Sequence, residues 1–298
     1  MFRWRRRKRI RRRALVALGV GLGVAGAVAL ARRRNGKWTG RVALITGASS
    51  GLGFLLAKQL AMEGCRLVIC SQDAAGLARA RLDLERYGAA VMSMPCDVSD
   101  RVQVDCMMEE TLVRFGAIDV VINNAGLIQV DPAGSIAVAD FERAMAANFW
   151  GVVHTSLAAL PSMLTRRQGN IINIVASAGL SPDSPQMLPF NCARRAATGF
   201  SDGLRAELRG RGVRVTTIVP NVTAAGSYVS GILPPGPLTG AEKAAAQILH
   251  AARRGQTERT LSIPANLLGQ FHGRFPETTT PRIGVMGGWL PVDDASRP

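Results

Sequence analysis

The sequence has few of the residues that bind metals or form disulfide frameworks. Its 298 residues include three histidines and five cysteines, with no CxxC pair among them. A structural zinc site needs four such ligands at short, regular spacings, so the sequence predicts no metal site. An odd number of scattered cysteines also argues against disulfides. We expect buried free thiols in a reducing compartment at Cys65, Cys70, Cys96, Cys106 and Cys192.

Acidic residues are absent from the first 41 positions, which hold 14 of the 37 lysines and arginines. The remaining residues carry 23 basic and 21 acidic side chains, so the formal net charge of +16 belongs almost entirely to this short segment. A nucleic-acid-binding domain carries its positive charge on the folded body. The sequence therefore predicts no nucleic-acid partner.

The N-terminal segment has the composition of a membrane address. An uncharged stretch of eighteen residues, Ala14 to Ala31, separates the cationic run at residues 3–13 from Arg32-Arg33-Arg34. As a helix it would be about 27 Å long, close to the thickness of a hydrocarbon core. We interpret residues 1–37 as a basic, apolar N-terminal helix that anchors the chain, with the main domain in the cytoplasm.

A second interpretation of the same segment remains open. Arg12-Arg13 before an apolar run resembles a twin-arginine export signal, with Ala29-Leu30-Ala31 as its cleavage site. Arg32, directly after that site, makes cleavage less favourable. The anchor is therefore the preferred interpretation, and export is the alternative.

From residue 38 onward, short β-branched runs alternate with segments of helical period. This order predicts an α/β fold of the Rossmann type, a doubly wound, seven-stranded parallel sheet with helices on both faces. The predicted strands are Val42 to Thr46, Leu67 to Cys70, Ala90 to Met94, Asp119 to Ile122, Ile171 to Val175, Val213 to Val219 and Thr260 to Ile263. The predicted helices are Leu52 to Met62, Ala74 to Tyr87, Val102 to Phe115, Phe141 to Leu164 and Asn191 to Leu208. No repeat or linker divides this region, so we expect one domain, 38–298, with a C-terminal extension from about residue 265.

A glycine-rich turn follows the first predicted strand. Residues 46–53 read Thr-Gly-Ala-Ser-Ser-Gly-Leu-Gly, at the start of a strand–helix–strand unit. Glycines let backbone amides approach a pyrophosphate at a helix N-terminus, where unpaired N–H groups favour negative charge. The position of the turn therefore predicts a dinucleotide site.

Several motifs in order make the chain similar to the short-chain dehydrogenase/reductase family over residues 38 to 265. They are the glycine turn, Cys96-Asp97-Val98, the Asn123-Asn124-Ala125-Gly126 segment after the fourth strand, and Asn148 in the next long helix. The resemblance implies an NAD(P)-dependent oxidoreductase that transfers hydride between a nicotinamide cofactor and an alcohol or carbonyl compound. It also implies the following cofactor-binding residues: Thr46, Gly47, Ser49, Ser50, Gly51, Leu52, Gly53, Ser71, Gln72, Asp97, Val98, Asn124, Ala125, Gly126, Arg194 and Pro220.

The catalytic motif of this family is altered. Relatives carry a serine after the fifth strand and a YxxxK helix, with an asparagine that matches Asn148. Here Phe190 replaces the tyrosine, Arg194 replaces the lysine, and Ala176 or Ser177 occupies the serine position. Phenylalanine has no proton to transfer, and losing a positioned general acid costs roughly 10²- to 10⁴-fold in rate.

The cofactor type is weakly marked. Ser71 stands where NAD-preferring relatives carry an acidic residue, and Gln72 stands where many NADP-preferring relatives carry arginine. An acidic residue at position 71 would repel the 2′-phosphate of NADP. Because Ser71 is uncharged, the sequence favours NADP slightly over NAD.

These residues predict a membrane-tethered dinucleotide-binding protein that has lost most or all hydride transfer. The alternative is an active NADP-dependent oxidoreductase. In that case Ser177 would hold the substrate oxygen, Arg194 would hold the cofactor, and water or Tyr228 would supply the proton. The resemblance implies small alcohols, ketones, steroids or lipids as substrates, and a homo-oligomer formed through the helices at Phe141 and Asn191.

Overall fold

The computed structural model describes residues 38–127, 133–175, 187–219, 241–256 and 258–260. Backbone contacts divide the chain into two compact units, residues 1–39 and 40–298. The predicted apolar helix at residues 1–37 and the C-terminal extension from residue 265 lie outside the described residues. Within the described ranges no helix is both long and apolar enough to cross a membrane.

The second unit alternates strands and helices. Its strands are β1 (Val42–Thr46), β2 (Arg66–Ser71), β3 (Val91–Pro95), β4 (Val120–Asn123), β5 (Gly169–Ile174), β6 (Val213–Val219) and β7 (Glu258–Thr260). Its helices are α1 (Gly51–Met62), α2 (Ala74–Glu85), α3 (Arg101–Phe115), α4 (Val138–Met145), α5 (Gly151–Thr165), α6 (Leu188–Glu207) and α7 (Ala241–Arg253). A short 3₁₀ helix covers Ala133–Ser135, and a π-helical turn, Ala146–Trp150, joins α4 to α5.

The strands form one sheet in the order β3-β2-β1-β4-β5-β6-β7, and each neighbouring pair is parallel. Side chains from α3, α5 and α6 pack on one face, where they share a core with Val42, Leu44 and Val68. Helix α1 contacts both α2 and α7, and these three helices account for the second helical layer. The predicted doubly wound parallel sheet with helices on both faces is confirmed.

Local sequence explains where several helices begin and end. Asp73 caps α2 by accepting a hydrogen bond from the Gly76 amide, and Asp100 caps α3 by accepting from the amides of Val102 and Gln103. Helix α3 ends at Gly116, whose φ of 75° is the left-handed conformation common at helix C-termini. These caps satisfy backbone groups that the ends of a helix leave unpaired.

The predicted elements are wrong in several details, and helix α7 is missing from the prediction. The helix predicted as continuous from Phe141 to Leu164 is interrupted by the π-helical turn, which inserts one extra residue per turn around Asn148. The last strand begins at Glu258, two residues before the predicted Thr260. The first error arises because a π turn keeps the helical pattern of apolar residues, and so leaves little trace in the sequence.

The cysteine prediction is correct in part. All five thiols are free, and Cys65, Cys70 and Cys96 are buried. Cys106 and Cys192 are exposed, contrary to the expectation that all five are buried. Both lie on helices, α3 and α6, where flanking apolar residues belong to the opposite face of the helix.

One buried carboxylate ties together the edge of the sheet where the strands begin. Asp119, at the start of β4, accepts hydrogen bonds from the Val42 amide at 3.0 Å and from Arg166 Nη1 at 2.7 Å. Arg41 Nη1 lies 3.4 Å from the same carboxylate. We call this the amino edge of the sheet. The opposite, carboxyl edge carries the motifs that resemble a cofactor site.

Candidate functional site

The turn between β1 and α1 places the first backbone amides of α1 at the carboxyl edge of the sheet. Gly47 and Gly51 have φ values of 64° and 58°, which an L side chain rarely adopts. Ser50, the N-cap of α1, makes no side-chain hydrogen bond to the first turn, and that turn contains no acidic residue. The first amides of α1 therefore remain available for an anion such as a pyrophosphate.

Close packing between the turn and α1 depends on a missing side chain. A Cβ atom at Gly53 would lie 2.2 Å from the carbonyl oxygen of Gly47 and 2.6 Å from Nδ2 of Asn124. Only glycine allows α1 to approach the turn this closely. Gly53 thus shapes the cradle by packing.

Residues after β4 fasten this turn from the side. Asn124 Nδ2 donates to the carbonyl oxygens of Thr46 and Gly47, both at 3.1 Å. Thr46 Oγ1 accepts from the amides of Asn124 and Ala125 at 3.0 and 2.9 Å. Thr46 and Asn124 were predicted as cofactor-binding residues, and here their side chains hold the backbone of the cradle in place.

The end of β2 lies beside the cradle. Ser49 Oγ donates to Ser71 Oγ at 3.1 Å, and Ser71 Oγ also accepts from the Asp73 amide at 3.2 Å. Gln72 is exposed. Asp73, which sequence reasoning did not single out, places a carboxylate two residues beyond Ser71, where its Oδ1 is bound to the Gly76 amide.

Hydrogen bonds and packing hold the loop after β3, which carries the predicted cofactor-binding residues Asp97 and Val98. Asp97 Oδ1 accepts from the amide and the hydroxyl of Ser99 at 2.9 and 2.7 Å. The Val98 side chain packs against Gly151, where a Cβ would lie 2.6 Å from Val98 Cγ2. Helix α5 therefore fixes the backbone of this loop.

Asn148 is committed to the backbone. The residue is fully buried in the π-helical turn, and its Nδ2 donates to the carbonyls of Leu127 and Ala144 at 2.9 and 3.0 Å. Its Oδ1 accepts from the Leu127 amide at 3.1 Å. The carboxamide thus holds the segment that leaves β4 just beyond Gly126, which explains why an asparagine sits in this irregular turn.

A polar network behind the site was missed by sequence reasoning. Asn123 Nδ2 donates to Ser156 Oγ at 3.0 Å and to Asn173 Oδ1 at 2.8 Å. Asn173 Nδ2 in turn donates to Ser201 Oγ at 2.7 Å. The network joins β4 and β5 to α5 and α6. Asn123 and Asn173 belong to motifs of the family pattern. The serines gave no signal, because they bond across elements far apart in the chain.

The two substituted positions, Phe190 and Arg194, pack on each other. Phe190 is fully buried in the first turn of α6, and the guanidinium carbon of Arg194 lies 5.1 Å from its ring centroid. Arg194 Nη1 donates to the carbonyl oxygen of Ile174, at the end of β5, at 2.7 Å. A cation over an aromatic face at this distance is an attractive contact. The pair therefore forms one unit.

The Arg194 guanidinium reaches the carboxyl edge between β4 and β5. A Cβ atom at Gly126 would lie 2.3 Å from Arg194 Nη2 and 2.7 Å from Asn148 Oδ1. Arg194 is only 7% exposed, and burial lowers the pKa of its guanidinium to about 10. Among the described residues, no carboxylate forms an ion pair with it and no acceptor binds its Nε. A fixed cation therefore stands beside Gly126 with donor groups to spare.

The structure brings most of the predicted residues to one edge. Residues of the glycine turn, Ser71, Asp97, Asn124 to Gly126, Asn148 and Arg194 all follow or face the carboxyl ends of β1 to β5. Ser177, Ala176, Pro220 and Tyr228 lie outside the described residues. The roles assigned to all these residues remain predictions from the family pattern.

Comparisons with known proteins agree with this arrangement. The family model of short chain dehydrogenases matches residues 41–229. A dehydrogenase/reductase SDR family protein 7-like of Anopheles gambiae is 35% identical over 215 residues, which cover 70% of this chain and 64% of that protein. The chain thus spans slightly under two thirds of this relative's length.

Solved structures share the fold. A metagenomic short-chain oxidoreductase in complex with NADP superposes with a TM-score of 0.64 and 24% identity, over 75% of this chain and 97% of that one. A 7α-hydroxysteroid dehydrogenase complexed with NADH and 7-oxo glycochenodeoxycholic acid gives a TM-score of 0.69 and 22% identity, over 76% and 95% of the two chains. At this level of identity the likeness establishes the fold.

Proposed function

The chain belongs to the short-chain dehydrogenase/reductase family, and we propose that it binds NADP(H) or NAD(H) while its hydride-transfer activity is lost or strongly reduced. The observation that carries this proposal is the buried Phe190–Arg194 pair at the catalytic helix. The glycine turn and the side chains that hold it lie at the same edge of the sheet. Binding without efficient turnover suits a sensor, a scaffold or a partner subunit.

Cofactor binding is supported by the geometry of the cradle. The uncapped amides of α1 face the carboxyl edge, and the Asn124 side chain holds the glycine turn open. Arg194 supplies a cation that can donate to a ribose diol, as the family lysine does. Dinucleotides of this fold family bind outside the carboxyl ends of the strands.

For the type of dinucleotide, we propose that NADP(H) is accepted at least as well as NAD(H). Ser71 and Gln72 are uncharged, and Oδ1 of the nearest carboxylate, Asp73, is bound to the amide that it caps. A carboxylate that caps a helix is less free to bind the ribose diol of NAD(H). It is also less free to approach and repel the 2′-phosphate of NADP(H).

The loss of activity follows from the missing hydroxyl. A ketone reduced by hydride needs a proton donor within hydrogen-bond reach of its oxygen. The Phe190 ring has no such group and is enclosed by the core, with the Arg194 guanidinium packed on it. Because Arg194 remains protonated at neutral pH, it stabilises negative charge but does not release a proton readily.

Cofactor binding and turnover are tested separately. Thermal shift and tryptophan-to-nicotinamide energy transfer with NADPH and NADH measure binding, which we expect for the unmodified chain. Phe190→Tyr/Arg194→Lys, assayed on a panel of alcohols, ketones, steroids and lipid carbonyls, should gain turnover of about 10²- to 10⁴-fold.

Phe200→Tyr is the matched control. It adds the same hydroxyl on the same helix but away from Arg194, so it should leave turnover at the background level. Turnover by the unmodified chain at rates normal for its relatives would refute the loss of activity and favour the alternative, an active oxidoreductase with substitute residues. Absence of binding by either dinucleotide would refute the proposal as a whole.

For cellular context, we propose attachment to a membrane through residues 14–31 with the body in the cytoplasm, and self-association through α5. The outer face of α5 exposes Trp150, Leu157 and Pro161 at helical spacing. Light scattering on the detergent-solubilised chain should show a dimer or tetramer, and Trp150→Glu should reduce its mass to that of a monomer. A monomer in the unmodified chain would exclude this interface.

A further inference from the structure

The amino edge of the sheet carries a cluster of exposed arginines that the proposed function does not use. They come from the α5–β5 loop, the α6–β6 loop with the start of β6, and the α7–β7 loop, which precede neighbouring strands of the sheet. We call them the amino-edge arginines: Arg167, Arg209, Arg211, Arg214 and Arg254. All are exposed.

Contacts between the loops bring these side chains together. Arg167 Nη2 donates to the carbonyl oxygen of Gly210 at 3.5 Å, and the loops approach so closely that a Cβ at Gly212 would lie 2.0 Å from the carbonyl oxygen of Arg167. On the other side, Arg214 Cδ would lie 3.5 Å from a Cβ at Gly255, next to Arg254. These contacts place the five residues on neighbouring segments of one edge of the sheet.

Few acidic groups offset this charge. None of the five forms an ion pair with a carboxylate of the described residues. Glu207 is exposed nearby, but Asp119 is buried and bound to Arg41 and Arg166, and Glu63 pairs with Arg253. Since the whole body is nearly neutral, this edge is a local concentration of positive charge.

We propose that the amino-edge arginines dock the domain on an anionic phospholipid surface. The chain enters β1 at Arg41, at this same edge, directly after a segment with an apolar stretch and thirteen further cations. An apolar stretch that enters lipid and a cationic surface that meets lipid headgroups bind the same partner. Nucleic acid would bind the cationic residues but not the apolar stretch.

Docking in this way sets the orientation of the cofactor site. All strands are parallel and run from the amino edge toward the cradle, which lies roughly 17–23 Å away across strands of five to seven residues. The dinucleotide edge would therefore face the aqueous phase. Because the anionic leaflet is the cytoplasmic one, docking also favours a cytoplasmic anchor over export.

The inference rests on the proposed membrane attachment, and amide hydrogen exchange separates the two. The full chain is bound to phosphatidylcholine vesicles with and without phosphatidylserine. Segments 166–168 and 208–212 should exchange more slowly only when phosphatidylserine is present, and high salt should reverse the protection. Exchange at the glycine turn should not change.

Neutralising variants test the side chains directly. Each arginine near an anionic surface strengthens docking about fivefold, so Arg167→Gln/Arg209→Gln/Arg211→Gln should weaken docking roughly 10²-fold and remove the protection. Arg79→Gln/Arg81→Gln/Arg101→Gln removes the same charge from exposed sites on α2 and α3, and should leave the protection intact.

Each remaining outcome is decisive. Vesicle flotation shows whether the chain is bound at all. If the chain floats with both vesicles and its amides exchange equally on both, docking is overturned while the membrane anchor is supported. A chain that floats with neither kind of vesicle overturns both the membrane anchor and the docking. Protection of the same segments by a DNA duplex, but not by phosphatidylserine, at equal ionic strength would assign the surface to nucleic acid.

Discussion

The most informative single substitution is Gly53→Ala, because it changes the cofactor cradle without changing any charge. The added Cβ would lie 2.2 Å from the Gly47 carbonyl oxygen, whereas ordinary contacts begin at about 3.4 Å. Helix α1 or the glycine turn must therefore move by on the order of 1 Å. The nearest atoms include the backbone carbonyl of Gly47, so a rotamer change alone does not relieve the clash.

The expected free-energy change is a difference of two effects. Alanine gains about 1 kcal/mol over glycine in a helix interior, and overpacking of this kind costs about 1–3 kcal/mol. We expect a net destabilisation of up to about 2 kcal/mol, which lowers the melting temperature by roughly 2–8 °C in a domain of this size. Dinucleotide affinity should fall more than tenfold, since the amides of α1 lose their alignment.

Calorimetry and NADPH titration measure the two effects. Gly203→Ala is the matched control, because Gly203 lies exposed in α6 with no atom within 4 Å of its added Cβ. It should stabilise the protein by about 0.5–1 kcal/mol and leave affinity unchanged. If Gly53→Ala matched the unmodified protein in both measurements, the close approach of α1 to the turn would not be what forms the cradle.

Two further predictions concern stability and thiol reactivity. Asp119→Ala should cost about 2–3 kcal/mol in chemical denaturation, because it leaves the Val42 amide without its acceptor and removes the carboxylate that pairs with Arg166. Asp202→Ala removes only an exposed ion pair and should cost less than about 1 kcal/mol. Equal losses would show that Asp119 has no special role. An aromatic disulfide reagent should modify only the exposed Cys106 and Cys192 in the folded protein, as mapped on peptides. Burial raises the pKa of the Cys65 thiol to about 12, so Cys65 should react only after unfolding. Rapid modification of Cys65 in the native state would contradict its burial.

The general fold was predictable because its signals are local. Apolar strands such as Val42–Thr46 alternate with helical segments, and alternation leaves little choice but a parallel sheet. The π-helical turn around Asn148 was not predictable, since its apolar pattern is that of an ordinary helix. The turn becomes understandable only when the bonds from Asn148 to Leu127 are seen.

For the candidate site, most residues could be identified from the sequence, but the contacts that several of them make could not. Thr46 and Asn124 were assigned to the cofactor site from the family pattern, with Asn124 expected to support the strand beside it. Their side chains bond to each other's backbone, a pairing that the sequence did not specify. Ser156 and Ser201 gave no signal at all. Their partners, Asn123 and Asn173, are 28 to 33 residues away, and such contacts exist only after the helices pack on the sheet.

The sequence by itself determined that no tyrosine or lysine stands at the catalytic helix, and that a glycine-rich turn follows the first strand. Only the tertiary structure decided that Phe190 is enclosed by the core and covered by Arg194, because burial depends on elements distant in the chain. The same holds for the amino-edge arginines. A nearly neutral body gives no hint of a basic surface until three loops, far apart in sequence, meet where parallel strands begin.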